Sequence, residues 1–231
     1  MDAPIEYEQT DARWRNVMYS ATGNRYQTIG TDGCGPTCAA MVVRTLRPKT
    51  GVTPVQAADW SVNHGYLSDN DGTYWSYFSA YLRTYGIGCE QVGKGEANRV
   101  IEMLRKNRMV ITSMGRGHWT SGGHFILAYG LSADGQYVQI HDPNSEAWSR
   151  EHGYIDYYRN EAVQYWIIPE VWKVEKRAVY FHDLDRGKDI PVTAILYDDE
   201  NYIRARDAEK LAPVTIGYAN GQPTIKQNYK S

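Results

Sequence analysis

Residues 33–43 read Gly-Cys-Gly-Pro-Thr-Cys-Ala-Ala-Met-Val-Val and place Cys34 at the start of a predicted helix. The glycines at 33 and 35 mark a turn, Pro36 suits the first helical position, and apolar residues at 38, 41 and 42 share one helical face. The unpaired N–H groups and positive dipole end of a helix start stabilise a thiolate, the form of cysteine that attacks carbonyl carbon. Free cysteine is also among the most buried residue types. This stretch alone therefore leaves a nucleophile and a small core residue equally open.

Two further chemical groups lie about a hundred residues later. Residues 122–130 read Gly-Gly-His-Phe-Ile-Leu-Ala-Tyr-Gly and predict that His124 leads into a buried strand. A second predicted strand, 136–141, runs directly into Asp142, and Asp134-Gly135 between the strands is a hairpin signal. Adjacent strands would bring His124 and Asp142 near one another. Cysteine, histidine and carboxylate then supply a nucleophile, a general base and an orienting group.

Four segments of the chain resemble the papain-like cysteine peptidases of the C39 type, specifically the C39-like branch common in bacteria and their phages. They are Tyr-Glu-Gln-Thr-Asp-Ala-Arg-Trp at 7–14, Thr-Ile-Gly-Thr-Asp-Gly-Cys-Gly-Pro-Thr at 28–37, Gly-His-Phe-Ile-Leu at 123–127 and His-Asp-Pro-Asn-Ser at 141–145. The resemblance covers roughly the first 170 residues, about the size of one domain. It implies that Cys34, rather than Cys38, is the nucleophile, with His124 as the base and Asp142 as its partner.

The same resemblance implies a glutamine upstream of the cysteine that lends its amide to an oxyanion hole. Gln9, in the Tyr-x-Gln-x-Asp segment, is our prediction for that role. Gln27 lies closer to Cys34 in sequence and is the alternative.

Composition excludes several classes of protein. The formal net charge is −2, which gives no electrostatic footprint for nucleic acid. The sequence has no unbroken apolar stretch long enough to span a bilayer. Residues 1–6 lack the basic and apolar regions of a secretory signal. The resemblance leads us to expect an extracellular or cell-wall location. Without a signal, the protein would reach it from the cytoplasm by lysis or a non-classical route, unless a signal has been removed.

The cysteines do not form a disulfide framework. There are 3, at positions 34, 38 and 89, so one is necessarily left unpaired. Cys38 would share the helical face of Cys34 and is expected to pack in the core. A zinc site that joins both cysteines to His118, His124 or His141 is disfavoured, because the spacing is not Cys-x-x-Cys and no second cysteine pair follows. We expect neither a metal nor an organic cofactor.

The order of predicted elements indicates an α+β fold. Helices are predicted at 36–47, 53–65, 73–85 and 96–106, and strands at 108–114, 125–130, 136–141 and 163–168. Helices followed by an antiparallel sheet match the papain-like plan, with the cysteine on the helical side of a cleft and the histidine on the sheet side. The expected peptidase domain spans residues 1–169.

Residues 170–231 are expected to form a small β-rich α+β domain. Strands are predicted at 171–174, 190–197 and 201–205, a short helix at 206–212, and a hairpin from 214–218 and 223–226 around Asn220-Gly221. This order resembles the small module related to the N-terminal domain of copper amine oxidases, which implies a role in cell-wall binding. A packing appendage that stabilises the catalytic unit is the alternative.

Polar-tipped aromatics are abundant, with 19 tyrosines and 7 tryptophans against 3 phenylalanines. Such side chains serve wet, stacked surfaces. Our candidates for substrate contact are Tyr74 and Trp75, together with His118 and Trp119 before the predicted base.

The predicted activity is amide hydrolysis by a papain-like cysteine peptidase, most specifically a peptidoglycan hydrolase of the phage or prophage endolysin type. A peptidase for protein or leader-peptide substrates is one alternative, and a catalytically silent wall-binding protein is another.

Overall fold

Two consecutive helices carry the glycine-rich stretch, in a computed structural model that describes residues 3–68, 72–173, 175–183, 187–197, 200–203, 214–219 and 222–227. They are α1 (Ile29–Asp32) and α2 (Cys34–Leu46). A Cβ at Gly33 would collide with the backbone of α1, and one at Gly35 would lie 2.6 Å from Oγ1 of Thr73. Both positions therefore require glycine. The predicted helix is confirmed, although it begins at the cysteine itself.

Five more α-helices follow in the described residues. They are α3 (Pro54–Asn63), α4 (Ser76–Arg83), α5 (Ala97–Arg105), α6 (Trp148–Glu151) and α7 (Ile155–Glu161). The first three confirm the predicted helices, and Thr53 starts α3 with a capping box to Gln56. The sequence did not predict α6 and α7, because both are short and show little apolar periodicity. Single 3₁₀ turns lie at Pro48–Thr50 and Lys94–Glu96.

The strands of the first part of the chain form a two-stranded ribbon and a six-stranded sheet. The ribbon pairs β1 (Leu67–Ser68) with β2 (Gly72–Thr73). The sheet contains β3 (Glu90–Gly93), β4 (Arg108–Met114), β5 (His124–Leu131), β6 (Tyr137–His141), β7 (His152–Tyr154) and β8 (Ala162–Val171). Its order is β3-β8-β4-β5-β6-β7, and every pairing is antiparallel. The four predicted strands are confirmed as β4, β5, β6 and β8.

Side chains of β5 alternate between two apolar cores, one on each face of the sheet. Phe125, Leu127 and Tyr129 pack with α2 and α4 on one face. Ile126 and Ala128 pack with α5 on the other. Because side chains alternate along a strand, β5 packs against helices on both faces of the sheet. The fold is α+β as predicted, with the papain-like arrangement of a cysteine on the helical side and a histidine on the sheet side.

The chain divides into two compact units, Met1–Trp172 and Lys173–Ser231. Strand β8 continues through position 169 to Val171, so the first unit extends three residues beyond the expected boundary. Within it, Trp172 donates its backbone N–H to the Asn107 carbonyl and its indole N–H to the Tyr129 carbonyl. No helix among the described residues has the length and apolar character needed to cross a bilayer.

The second unit contains a five-stranded sheet. Its strands are β9 (Glu175–Asp183), β10 (Lys188–Tyr197), β11 (Glu200–Ile203), β12 (Val214–Ala219) and β13 (Gln222–Gln227), in the order β11-β10-β9-β13-β12. Strands β10 and β11 and the β12–β13 hairpin confirm the predictions there. Of the strand predicted at 171–174, Val171 is the end of β8, Trp172 and Lys173 are not in a strand, and Val174 lies outside the described residues. The sequence did not predict β9. The predicted helix at 206–212 and the Asn220-Gly221 turn lie outside the described residues.

Candidate active site

A cavity of about 440 Å³ opens beside Cys34 at the start of α2. His124, the first residue of β5, lines the same cavity and is 8% exposed. The remaining lining residues are Thr31, Asp32, Gly72, Thr73, Trp75, Ser113, Gly123 and Phe125. The helical side and the sheet side of the unit therefore each contribute one reactive group to this cavity.

The β5–β6 hairpin places Asp142 against His124. Leu127 pairs with His141, so Asp142 follows directly on the paired end of β6. Gly135 has φ of 70° in the turn, a conformation that favours glycine. Nε2 of His124 lies 2.6 Å from Oδ1 of Asp142. Nδ1 is then the ring nitrogen that does not bond Asp142, and His124 lines the same cavity as Cys34.

The electrostatics of the pair favour an imidazolium beside a carboxylate. Burial opposes charge on His124, but its hydrogen bonds to Asp142 and Cys34, together with their negative charges, raise its pKa to about 9. Burial likewise opposes charge on Asp142, yet the hydrogen bond and charge of His124 lower the pKa of the carboxyl below its ordinary value. Such a pair can hold a proton and transfer it to a neighbouring group.

Asp142 is surrounded by further hydrogen bonds. Its side chain is 0% exposed. Besides His124, Oδ1 accepts the backbone N–H of Asn144, and Oδ2 accepts from Nε of Arg150 at 2.7 Å. The backbone N–H of Asp142 donates to Oε1 of Glu151 at 2.8 Å. Both Arg150 and Glu151 belong to α6. The sequence pointed to neither, because a helix of four residues carries no motif, and only the folded chain brings it to the end of β6.

The other two cysteines have environments that disfavour a thiolate. Cys38 is fully buried in the core, and burial raises its pKa well above the ordinary value. Burial also raises the pKa of Cys89, to about 11, although a hydrogen bond with Ser79 opposes this. Cys34 is partly exposed at the cavity.

The two candidate oxyanion glutamines are both buried. Nε2 of Gln9 donates to the Gly30 carbonyl at 2.9 Å, and the backbone N–H of Gln9 donates to the Pro143 carbonyl. Nε2 of Gln27 donates to the Ser68 carbonyl at 3.1 Å. Neither glutamine is among the residues that line the cavity at Cys34. Gln9 links α1 to the segment after β6, and so connects the two sides of the site.

Residues 8–169 match the model of the Peptidase_C39 like family, which covers more than half of the sequence. The chain belongs to this family. Membership indicates a hydrolase, and the matched residues include every member of the cysteine, histidine and aspartate group described above. No curated protein matches the chain.

Several solved structures are similar to this family member. The peptidase domain of Streptococcus ComA, a bi-functional ABC transporter involved in a quorum sensing pathway, is 14% identical over 61% of this chain and 93% of that chain, with a TM-score of 0.44. A double glycine motif protease from an AMS/PCAT transporter, in complex with the leader peptide, is 18% identical over 59% and 84%, with a TM-score of 0.40. A putative C39-like peptidase from Bacillus anthracis is 11% identical over 62% and 91%, with a TM-score of 0.39.

The aromatic residues predicted to contact substrate fall in different places. Trp75 is 42% exposed and lines the cavity at Cys34, whereas Tyr74 is 49% exposed but does not line it. His118 and Trp119 line a second cavity together with Arg150. Trp119 is 2% exposed, and its indole N–H donates to the Arg150 carbonyl, so most of its ring packs inside the protein.

A third cavity, of about 140 Å³, is lined almost entirely by rings and was not predicted. Its lining residues are His118, Tyr137, Trp148, Ser149, His152, Tyr154 and Tyr157. Trp148 is 63% exposed and stacks on His152 with ring centroids 4.8 Å apart. Four of these rings lie within residues 148–157, but His118 and Tyr137 come from distant parts of the sequence and complete the cavity only in the folded chain.

Among the described residues, the side chains close enough to hold an ion together are Glu6, His141 and Glu151, whose ligand atoms lie within 4.8 Å of one another. This group includes neither Cys34 nor Cys38. Nδ1 of His141 faces both carboxylates, and Nε2 lies 3.3 Å from the Pro4 carbonyl oxygen. Burial opposes charge on His141, but the hydrogen bonds to the two carboxylates raise its pKa to about 9. A protonated imidazole therefore satisfies the cluster.

Proposed function

We propose that the protein is a cysteine peptidase that hydrolyses amide bonds with Cys34 as nucleophile, His124 as general base and acid, and Asp142 as the group that orients His124. The observation that carries this proposal is the position of His124, which shares a cavity with Cys34 and bonds Asp142 through Nε2 at 2.6 Å. The chemical types of the three groups match the nucleophile, base and orienting roles of thiol hydrolases.

In the proposed reaction, the Cys34 sulfur attacks the amide carbon and a C–S bond forms. The tetrahedral intermediate then collapses, and the leaving amine takes a proton from His124 as the C–N bond breaks. Water next attacks the thioester while His124 accepts a proton, and the acid product leaves with Cys34 restored. The backbone N–H of Cys34 is our first proposed donor to the oxyanion, a role in which one donor is typically worth about 3 kcal/mol. The side-chain amide of Gln9 is the second proposed donor, and this role requires it to leave the Gly30 carbonyl and turn into the cavity.

For the substrate, we propose the peptide portion of peptidoglycan. The ring-lined cavity supports this, because Trp148, Tyr154 and Tyr157 are exposed there and offer aromatic faces on which the sugar rings of peptidoglycan can stack. It adjoins α6, the helix that contacts Asp142. The second unit is proposed to act as a wall-binding module related to the copper amine oxidase N-terminal domain. An endolysin released by lysis would combine these features.

Mass spectrometry of products released from purified peptidoglycan tests the proposal. The wild-type protein is expected to release fragments with new amino and carboxyl termini, and the Cys34→Ala variant is expected to release none. Cleavage of a double-glycine leader peptide without any cleavage of peptidoglycan would favour the alternative, a leader peptidase. Wall binding by both proteins with cleavage of neither substrate would favour the non-enzymatic alternative.

A further inference from the structure

The guanidinium of Arg150 connects two segments of the proposed site. Nε and Nη2 both contact Oδ2 of Asp142, at 2.7 and 2.5 Å. Nη1 donates to the His118 carbonyl at 2.9 Å, and Nη2 donates to the Trp119 carbonyl at 2.6 Å. An arginine side chain has five N–H donors, so these four contacts occupy most of them.

The contact with Asp142 determines how its carboxylate is oriented. Oδ1 accepts from His124 and Asn144, and Arg150 binds the second oxygen. A buried carboxylate stays charged only when its oxygens are satisfied. Because different partners hold the two oxygens, the plane of the carboxylate cannot rotate away from His124 without breaking the pair with Arg150.

The two carbonyl contacts extend this effect to the segment that leads into β5. His118 and Trp119 precede His124 by six and five residues, and their carbonyls receive the other two contacts of the same guanidinium. One side chain thus joins the segment before the histidine to the carboxylate that the histidine binds.

We propose that Arg150 is a positioning residue of the hydrolase, which acts through Asp142 and sets both the orientation and the charge of the His124–Asp142 pair. This inference rests on the proposed function, since it assigns Arg150 to the triad proposed there. Lysine offers one point charge and cannot reproduce a planar fork that reaches a carboxylate and two carbonyls. The proposal therefore requires the guanidinium itself, in addition to a positive charge.

Other titratable groups also surround Asp142. The charge of Asp142 contributes to the raised pKa of Glu8 in the N-terminal segment and of Cys38 on α2. Glu151 on α6 accepts the backbone N–H of Asp142. These groups remain in place when Arg150 is replaced. A change in pH dependence that is confined to Arg150 variants therefore reports the guanidinium.

The test compares Arg150→Gln and Arg150→Lys with Arg47→Gln. Arg47 is a matched control, because its guanidinium also pairs with a carboxylate, that of Glu170, and donates to backbone carbonyls. The rate of Cys34 alkylation by iodoacetamide is measured against pH and needs no substrate. For Arg150→Gln we expect the plateau of the alkylation rate constant to fall at least about tenfold. The acidic limb of the rate–pH curve should also move up by about one pH unit, because a neighbouring arginine lowers an aspartate pKa by about that much or more. Arg150→Lys should keep the acid limb and lose part of the plateau.

Wild-type kinetics in Arg150→Gln would overturn the proposal, as would the same change in Arg47→Gln. Melting temperatures of all variants separate folding defects from positioning. If Arg150→Gln does not fold, Arg150→Lys provides the test. An unchanged plateau of its alkylation rate constant would refute a role for the planar guanidinium. The proposed function fails in a different way, namely if Cys34 of the wild-type protein is not the cysteine that reacts fastest.

Discussion

Replacing Asp142 with asparagine keeps the shape of the side chain and removes its charge. In the folded protein one carboxylate oxygen accepts from His124 and the other accepts from Arg150. An amide offers one acceptor and one donor group, so either the histidine or the arginine loses its acceptor. We therefore expect Asp142→Asn to weaken the imidazolium of His124 while the hairpin that carries it persists.

The raised pKa of His124 sets the size of this effect. A change from 6.5 to about 9 corresponds to about 3 kcal/mol in favour of the imidazolium, at roughly 1.4 kcal/mol per pH unit. Asp142 and Cys34 share that stabilisation. Because the hydrogen bond to Asp142 is the first of the interactions that raise this pKa, its loss should slow hydrolysis of the proposed peptidoglycan substrate by roughly tenfold or more.

The assay is an NMR titration of His124 alongside the rate of hydrolysis. Because the folded pKa is raised, the stabilisation is fully present below pH 6.5 and is lost as the pH rises through about 9. In the variant this loss should occur at lower pH, closer to 6.5. Asp134→Asn is the matched control, since it makes the same substitution in the exposed turn of the same hairpin and keeps a favoured Asn-Gly turn.

An unchanged titration of His124 in Asp142→Asn would refute the reasoning, because the carboxylate charge would then contribute nothing to the imidazolium. Activity within twofold of the wild type would refute it as well. Equal losses in Asp142→Asn and Asp134→Asn would point to damage to the hairpin, and the electrostatic explanation would fail.

Three further predictions concern reactivity, substrate binding and the second unit. At pH 7.5 alkylation should label Cys34 well before Cys89, because a pKa of about 11 leaves roughly one Cys89 thiol in 3,000 ionised. Peptide mapping of partially labelled protein checks this, and faster labelling of Cys89 would contradict it. Trp148→Ala should weaken the binding of an N-acetylglucosamine tetramer to Cys34→Ala protein by about fivefold to tenfold, as measured by calorimetry. Replacement of Tyr26, which is also exposed but does not line this cavity, should not weaken it. A protein that ends at Lys173 should cleave soluble fragments normally but sediment poorly with cell walls, and unchanged sedimentation would remove the targeting role.

Much of the first unit was predictable because its signals are local. Helices α2 to α5 have apolar periodicity and recognisable starts, and the β5–β6 hairpin has Asp-Gly at its turn. The turn and the strand lengths together place His124 beside Asp142. These features depend on residues that are close in sequence, so they can be recognised in a single sequence.

The parts that could not be predicted depend on tertiary contacts. Arg150 lies on a four-residue helix with no periodic signal, and its role emerges only when α6 lies against the end of β6. The rings around Trp148 come from three separate stretches, namely His118, Tyr137 and residues 148–157. The choice between Gln9 and Gln27 also rests on three-dimensional position, since sequence distance from Cys34 favours one and motif similarity favours the other.

Two different structural devices set the geometry of the proposed site. The histidine–aspartate pair belongs to one hairpin and depends on strand register. The cysteine depends instead on the packing of α2 against the face of β5 that carries Phe125 and Leu127, and on the close approach that Gly35 permits to Thr73. A core substitution under α2 can therefore displace the sulfur from the imidazole while the bond between His124 and Asp142 stays intact. Loss of activity with a preserved imidazole–carboxylate pair is consequently the signature of damage on the helical side, and loss of both is the signature of damage to the hairpin.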